Sequence, residues 1–412
     1  MARHDDTPRS DDFPDDDNSD LGDFVTTERE ESDVNESSEE GWKYDKEMSR
    51  VFYPVCIGEI LNDRYRIDHK LGHGGFSTVW LAYDLEKKTD VALKVTDSSE
   101  IGKYEAQIHE KIIRRVKDTS HILTYLRTFS LQGEGSNRHQ VLVFPWVGEC
   151  LFDLKIWKMT MASRMLAARH LLEALNSLHS AGIVHRDVTG YNCFQGIAPL
   201  ENHTRKYKYE RLGRPLKLSI EKWLEENIWK PGQLVAPVKI PEDLQEDIFY
   251  LGDFSLAINV GERVTPEREG RPPVDYCSPE RLHGFPPSTA CDMWSYMCVF
   301  SEFYLGFRVI GKGLGDGIIP AMVESLGPLP AEWKGRLFWE YEDQWYDQNI
   351  EPNPQRPFED RIKRLRPDID QAELELVSSL FRRGFRLEPE KRPTAAELLQ
   401  DPSFKALMDR YT

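Results

Sequence analysis

HRDVTGYN at residues 185–192, followed about sixty positions later by LGDFS at residues 251–255, is the part of this sequence that decides its fold. Asp187 carries a carboxylate that can accept or orient a proton. Asn192 and Asp253 carry oxygen atoms of the kind that Mg²⁺ prefers. Either stretch alone is usually an ordinary surface loop. The two in this order, with the further signals described below, predict one site for a hydroxyl group, a magnesium ion and phosphate.

A glycine-rich turn precedes these stretches. Residues 72–79 read GHGGFSTV and stand between two apolar-polar runs, so they predict a hairpin tip whose backbone N–H groups can approach phosphate oxygens. A further predicted strand, VALK, ends at Lys94. Burying the ammonium group of this lysine is costly unless an anion forms an ion pair with it. On the helix predicted over residues 104–116, Glu110 is the expected partner of Lys94, and Glu105 is the alternative.

These motifs resemble those of the eukaryotic-type protein kinases, and the resemblance covers about residues 42–412. FYPVCIGE at residues 52–59, the glycine-rich turn and the pair Tyr104-Glu105 resemble the SR-protein kinases, which phosphorylate serines in Arg/Ser-rich splicing factors. LGPLP at residues 326–330 is similar to the compact SR-kinase-like kinases of fungi. The resemblance implies an α+β bilobal kinase fold, with a β-rich small lobe and a mainly helical large lobe. It also implies an ATP-dependent kinase acting on serine or threonine.

Charge is distributed unevenly along the chain and suggests a boundary. Residues 1–41 hold sixteen Asp and Glu against three Arg, a net charge of −13 out of −17 for the whole chain. Because this segment has few apolar residues, it is predicted to be a disordered acidic tail, either solubilising or attractive to Arg-rich partners. The small lobe is then expected at 42–145 and the large lobe at 146–412, with an insertion at about 195–247.

The resemblance implies a role for individual positions. Asp187 would orient the substrate hydroxyl, and Lys94 would hold the α- and β-phosphates of ATP with the help of Glu110. Asn192 and Asp253 would bind Mg²⁺. The residues expected to line the ATP site are Gly72, His73, Gly74, Gly75, Phe76, Ser77, Val79, Ala92, Lys94, Phe144, Trp146 and Val147.

Structural anchors and two departures also follow from the resemblance. Glu280 is expected to pair with Arg392, and Asp292 is expected to bind the backbone beside Asp187. Thr189 stands where serine/threonine kinases have a lysine, and Pro273 stands where the threonine that contacts this lysine is expected. Tyrosine or dual specificity is therefore an alternative to serine/threonine specificity. A pseudokinase that binds partners without transferring phosphate is a further alternative.

Arg186 has two interpretations. An arginine beside the catalytic base commonly receives a phosphate, and Thr265 is the only serine or threonine between Ser255 and Ser278. The other interpretation is an ion pair with Glu262, Glu267 or Glu269.

Composition predicts a protein of the cytoplasm, the nucleus or both. Six cysteines show no CxxC pair, so neither a cysteine zinc site nor a disulfide framework is indicated. No apolar run approaches the ~20 residues that span a bilayer, and no signal-peptide core is seen. The expected partner is a protein substrate, with Arg/Ser-rich splicing-type proteins as a candidate class. The chain itself is expected to be a monomer without membrane contact. Basic residues within 206–217 also suggest direct nucleic-acid binding, but this hypothesis is weaker than that of a protein substrate.

Overall fold

The structure is a computed structural model that describes residues 21–45, 51–152, 154–200, 203–220, 228–265, 270–311, 317–333, 336 and 358–411. The chain forms two compact units. The first unit comprises the described parts of Met1–Ala106, Tyr125–Glu149 and Ile197–Glu246. The second comprises those of Gln107–Thr124, Cys150–Gly196 and Asp247–Thr412.

Strands and helices are numbered in chain order. The strands are β1 (Asp23–Phe24), β2 (Ile60–Leu61), β3 (Tyr65–His73), β4 (Ser77–Asp84), β5 (Thr89–Thr96), β6 (Arg127–Gln132), β7 (Arg138–Pro145), β8 (Ile183–Val184), β9 (Cys193–Ile197), β10 (Leu216–Ser219), β11 (Gln233–Val235), β12 (Gln245–Leu251) and β13 (Ile258–Asn259). The α-helices are α1 (Glu28–Ser37), α2 (Ile101–Arg115), α3 (Leu154–Lys158), α4 (Met161–Ser180), α5 (Arg205–Leu212), α6 (Pro279–Leu282), α7 (Thr289–Leu305), α8 (Ile318–Leu326), α9 (Phe358–Leu365), α10 (Gln371–Gly384), α11 (Ala395–Gln400) and α12 (Pro402–Met408). Among the residues that the structure describes, no helix is both long enough and apolar enough to cross a bilayer.

A six-stranded antiparallel sheet in the order β2-β3-β4-β5-β7-β6 forms the centre of the first unit. Alternating side chains on these strands face one apolar core, in which Trp80 and Val143 are almost completely buried. Strands β3 and β4 are joined at residues 74–76, so the predicted hairpin tip is confirmed. Lys94, on the central strand β5, lies opposite Val79 on β4.

Residues 21–45 are folded as part of the first unit, and the predicted disorder is wrong for residues 21–41. Strand β1 pairs with β10 in parallel, and α1 begins with a capping box between Thr27 and Glu30. Val34 on α1 is fully buried in a cluster with Tyr44, Phe52, Leu218, Ile220 and Leu234. The apolar residues of the segment are few, but strands far away in sequence supply the surface that covers them. Residues 1–20 lie outside the described residues.

The insertion belongs to the first unit, whereas the sequence placed it within a large lobe. Its helix α5 is held by charged side chains that are nearly inaccessible to solvent: Lys208 pairs with Asp90, and Arg205 Nε lies 3.4 Å from Asp68 Oδ1. The hydroxyl of Tyr209 donates to the carbonyl oxygen of Asp68 over 3.0 Å. One of the basic residues that suggested nucleic-acid binding, Lys208, is therefore buried in an ion pair. Conversely, residues 107–124, predicted in the small lobe, cluster with the second unit.

Helices dominate the second unit, and α4 is its longest described helix. Thr160 caps its start by accepting the N–H of Ser163, and Leu171, Leu175 and Leu178 are fully buried along one stripe. Helix α7, which packs against α4, is buried along most of its length. The chain leaves α4 through Gly182, whose φ of 74° favours glycine, and enters the stretch at residues 185–192.

Candidate active site

The predicted catalytic loop, residues 185–192, is held against the segment that carries Asp253 by backbone pairing. Strand β8, just before the loop, pairs with β13, just after Asp253. The N–H of Gly252 donates to the carbonyl oxygen of Asn192 over 2.9 Å. His185 Nε2 lies 3.0 Å from the carbonyl oxygen of Gly252. These contacts bring together the three side chains that the sequence singled out, although Asn192 and Asp253 are about sixty positions apart.

The two carboxylate oxygens of Asp187 differ in their hydrogen bonding within the described part of the chain. Asn192 Nδ2 donates to the carbonyl oxygen of Asp187 and to its Oδ2, both over 2.8 Å. Asp187 Oδ1 is buried and has no hydrogen-bond partner in the described part of the chain. Burial, and after it the negative charge of Asp253, raises the pKa of Asp187 to about 7. Because one of these two neighbouring carboxylates is buried, a bound cation would stabilise their negative charges.

The residues present fit Mg²⁺. Because the amide nitrogen of Asn192 faces Asp187, its carbonyl oxygen Oδ1 is left to accept or to ligate. Asp253 has a φ of 58°, a left-handed conformation that is uncommon for residues other than glycine and recurs at functional sites. Its Oδ1 accepts the N–H of Ser255 over 3.2 Å. One amide oxygen and a carboxylate are the hard ligands that Mg²⁺ takes from proteins, with phosphates and water completing its shell.

Both anchors predicted for this unit make the expected contacts. Asp292, in the first turn of α7, accepts the backbone N–H groups of His185 and Arg186, each over 2.8 Å. Arg392 donates to both carboxylate oxygens of Glu280 over 2.8 and 2.6 Å, and both side chains are nearly inaccessible. A bidentate buried pair of this kind holds its geometry tightly. It ties residues 279–282 to the segment before α11.

In the first unit Lys94 pairs with Glu105, so the prediction of Glu110 is wrong. Lys94 Nζ lies 2.8 Å from Glu105 Oε1, and the Glu105 side chain is fully buried. Glu105 lies three and seven positions before Ile108 and Ile112, which are also fully buried, so all three share one face of α2. Glu110 lies on another face and is exposed. The helical spacing of these isoleucines was the signal that the sequence interpretation missed.

Glu105→Gln and Glu110→Gln form a matched pair of variants on this helix. The first should lower kcat/KM for phosphorylation by about 10–100-fold, since a hydrogen bond to a charged group contributes roughly 1.5–3 kcal/mol. The second should leave it unchanged. Steady-state kinetics with one peptide substrate would measure both, after melting curves show that the variants are folded. Equal losses in the two variants would contradict the assignment of Glu105.

The glycine-rich turn has room for a ligand. A Cβ placed on Gly72, Gly74 or Gly75 would meet no other atom within 4 Å, so packing does not account for these glycines. The N–H of Gly74 donates to the carbonyl oxygen of Ser77 and closes the tip, where His73 and Phe76 are exposed. Free space around a bare backbone suits the approach of phosphate oxygens, which remains the prediction for this turn.

The other residues predicted to line the nucleotide site lie on or beside the central strands. Ala92 on β5 lies opposite Phe144 on β7, and both are buried. Val79 on β4 is half-buried. Trp146 follows β7 and packs against the apolar cluster that contains Leu81 and parts of the insertion. The lining of the ATP site by Trp146 and Val147 stays a prediction.

The two departures from serine/threonine kinases occupy different environments. Thr189 is buried, and its carbonyl oxygen accepts the thiol of Cys193 over 3.1 Å. Pro273 is exposed. Neither residue carries a charge that could steady a phosphoryl group.

Arg186 is used to hold the segment that follows Asp253. Its guanidinium donates to the carbonyl oxygens of Leu256 and Gly270 over 2.9 and 2.6 Å. Thr265 is described and exposed, while residues 266–269, with two of the glutamates considered as partners of Arg186, lie outside the described residues. The hypothesis of phosphorylated Thr265 stays a prediction.

Comparisons with known proteins agree on one family. A family model for the protein kinase domain matches residues 65–196. A probable serine/threonine-protein kinase clkA of Dictyostelium discoideum is 24% identical over 366 residues, covering 85% of this chain and 37% of the relative. A serine/threonine-protein kinase SRPK of Physarum polycephalum is 25% identical over 416 residues, covering 90% of this chain and 92% of the relative. A crystal structure of a kinase domain superposes with a TM-score of 0.56 at 19% identity, covering 86% of this chain and 98% of that one.

Proposed function

We propose that this chain phosphorylates serine or threonine in arginine-rich proteins at the expense of ATP. The chain belongs to the protein kinases and is a serine/threonine kinase similar to the SR-protein kinases. One observation carries the proposal. In the second unit, Asn192 binds Asp187 beside Asp253, and this buried acidic group calls for a cation. Such a site suits Mg²⁺ and a substrate hydroxyl.

Each side chain has a task in this reaction. Asp187, with its pKa raised to about 7, would accept the hydrogen bond of the hydroxyl group, orient it toward the phosphorus and take its proton late. Asn192 and Asp253 would hold Mg²⁺, which supplies positive charge to the phosphate oxygens when MgATP is bound. In the first unit, Lys94, fixed by Glu105, would bind the phosphates.

Tyrosine or dual specificity is a second candidate, and it is favoured by the combination of Thr189 with Pro273. A degenerate peptide library that presents serine, threonine or tyrosine as the acceptor decides between the candidates. We expect incorporation of phosphate into serine and threonine, with arginine selected at the flanking positions. Incorporation into tyrosine alone would overturn the acceptor assignment. No incorporation into any acceptor would favour the pseudokinase alternative.

The preference for arginine-rich substrates has a separate electrostatic test. Residues 1–20 contain eight Asp and two Arg. A truncation that removes residues 1–20 deletes none of the residues that the structure describes. We expect this truncation to raise KM several-fold for an arginine-rich serine peptide at ~0.01 M ionic strength, where the Debye length is ~30 Å. The difference should vanish at ~1 M salt, where that length is ~3 Å.

The control in this test is the same peptide with its arginines replaced by glutamine. Its KM should be the same for both forms of the protein at every salt concentration. Superimposable kinetics on the arginine-rich peptide would indicate that residues 1–20 do not attract substrate.

A further inference from the structure

Three side chains with metal-ligating atoms lie together in the second unit, outside the catalytic loop. His170 and Glu173 are three positions apart on α4, so they share one face of that helix. His121 reaches them from the segment after α2. One ligand atom from each residue lies within 4.8 Å of the other two, and all three residues are partly accessible to solvent. None of them has a task in the proposed phosphoryl transfer.

His121 is oriented as a metal ligand would be. Its Nδ1 lies 3.0 Å from the carbonyl oxygen of Phe249, which can only accept, so Nδ1 carries the proton. This bond fixes the ring, as a carbonyl oxygen behind a ligating histidine commonly does. In the neutral ring, Nε2 then presents a lone pair to Glu173 Oε2 at 3.5 Å. An imidazole nitrogen and a carboxylate oxygen at this distance can share either a proton or a metal ion between them.

Glu173 and His170 supply the remaining atoms. Arg169 donates to Glu173 Oε1 over 2.9 Å, which leaves Oε2 facing His121. The His170 ring stacks on the His121 ring, with centroids 3.7 Å apart and planes inclined by 16°. His170 Nδ1 is buried and has no hydrogen-bond partner in the described part of the chain.

We propose that His121, His170 and Glu173 bind one zinc ion through two imidazole nitrogens and one carboxylate oxygen, with water as the fourth ligand. Two imidazoles and one carboxylate favour Zn²⁺ over Mg²⁺ or Ca²⁺, which prefer oxygen ligands. An imidazole nitrogen binds a metal in the plane of its ring. His170 therefore turns out of the stack on binding, and no hydrogen bond to Nδ1 from the described residues opposes this rotation.

The bound ion would join α4 to the strand that leads to Asp253. The N–H of Leu251 donates to the carbonyl oxygen of His121, and the N–H of Leu123 donates to that of Leu251, both over 2.9 Å. Leu251 lies two positions before Asp253. Because zinc would bind the folded arrangement and not the separated residues, it should raise the melting temperature of the protein.

Calorimetric titration of ZnCl₂ into the chelator-stripped full chain tests the proposal. We expect one equivalent of zinc to bind and the melting temperature to rise. His170→Ala and Glu173→Gln should each weaken zinc binding at least ~10-fold and remove the shift in melting temperature. Two variants are used because either residue alone could affect folding, which circular dichroism of the metal-free proteins would show.

His203→Ala is the matched control, since His203 is an exposed histidine outside the cluster. This variant should bind zinc like the wild-type chain. Zinc binding that is equally strong in His170→Ala and Glu173→Gln would mean that other groups, such as the accessible cysteines, hold the ion, and would overturn the proposal. The absence of binding to the wild-type chain would overturn it as well. Phosphorylation activity does not enter the test, so its outcome is independent of the proposed function.

Discussion

Asp187→Asn should lower the turnover number for phosphorylation by about 10²–10⁴-fold, the usual contribution of a positioned base. Asparagine keeps the size of the side chain and one oxygen acceptor for Asn192, but it cannot take a proton. The carboxylate is well suited to this role because burial and the charge of Asp253 raise its pKa to about 7. Single-turnover and steady-state rates on a serine peptide would measure the loss.

Two controls separate chemistry from folding and binding in this experiment. Asp409→Asn removes an exposed carboxylate at the end of α12 and should leave turnover unchanged. The Asp187→Asn protein should still show a rise in melting temperature with MgATP, since Lys94, Asn192 and Asp253 are intact. Near-normal turnover in Asp187→Asn would refute the role of this residue as the base.

The second large effect concerns stability. Glu39 and Lys70 form an ion pair in which both side chains are completely buried, and Lys70 also lies over the Trp80 ring at 5.2 Å. Burial lowers the pKa of Lys70 well below its usual value, which shows how unfavourable this charge is without a partner. Glu39→Gln should therefore reduce the free energy of unfolding by about 3–5 kcal/mol, the usual effect of removing one member of a buried pair. Urea and thermal unfolding would measure it.

Glu40→Gln is the neighbouring control, because Glu40 is exposed and adjacent to Glu39 in the sequence. It should leave stability unchanged. Glu39→Gln combined with Lys70→Met removes both charges, while the introduced amide oxygen can still accept the hydroxyl of Tyr44, which donates to the Glu39 carboxylate over 2.5 Å in the wild-type chain. We expect this double variant to recover most of the lost stability. If Glu39→Gln unfolds like the wild-type protein, residues 21–45 do not pack as the structure describes.

Short-range spacing was sufficient to predict much of the second unit. Asp187 and Asn192 are five positions apart, so one loop holds both, and the periodic apolar positions of α4 mark its buried stripe. The contacts of Asp292 and of Glu280 with Arg392 could be predicted because the resemblance supplied the pairing. Spacing could not identify the partner of Lys94. That choice depended on which face of α2 the core covers, and Glu105, not Glu110, lies on that face.

The sequence by itself determined the order of the catalytic groups, the glycine-rich hairpin and the two classes of secondary structure. Only the tertiary structure decided that residues 21–45 are ordered and that the insertion joins the first unit. Net charge and local hydrophobicity predict disorder for an acidic segment because they count only its own apolar residues. Val34 is buried by strands about two hundred positions away, and Glu39 is neutralised by Lys70 on β3. Such surfaces exist only after the chain has folded, so no local pattern could have predicted them.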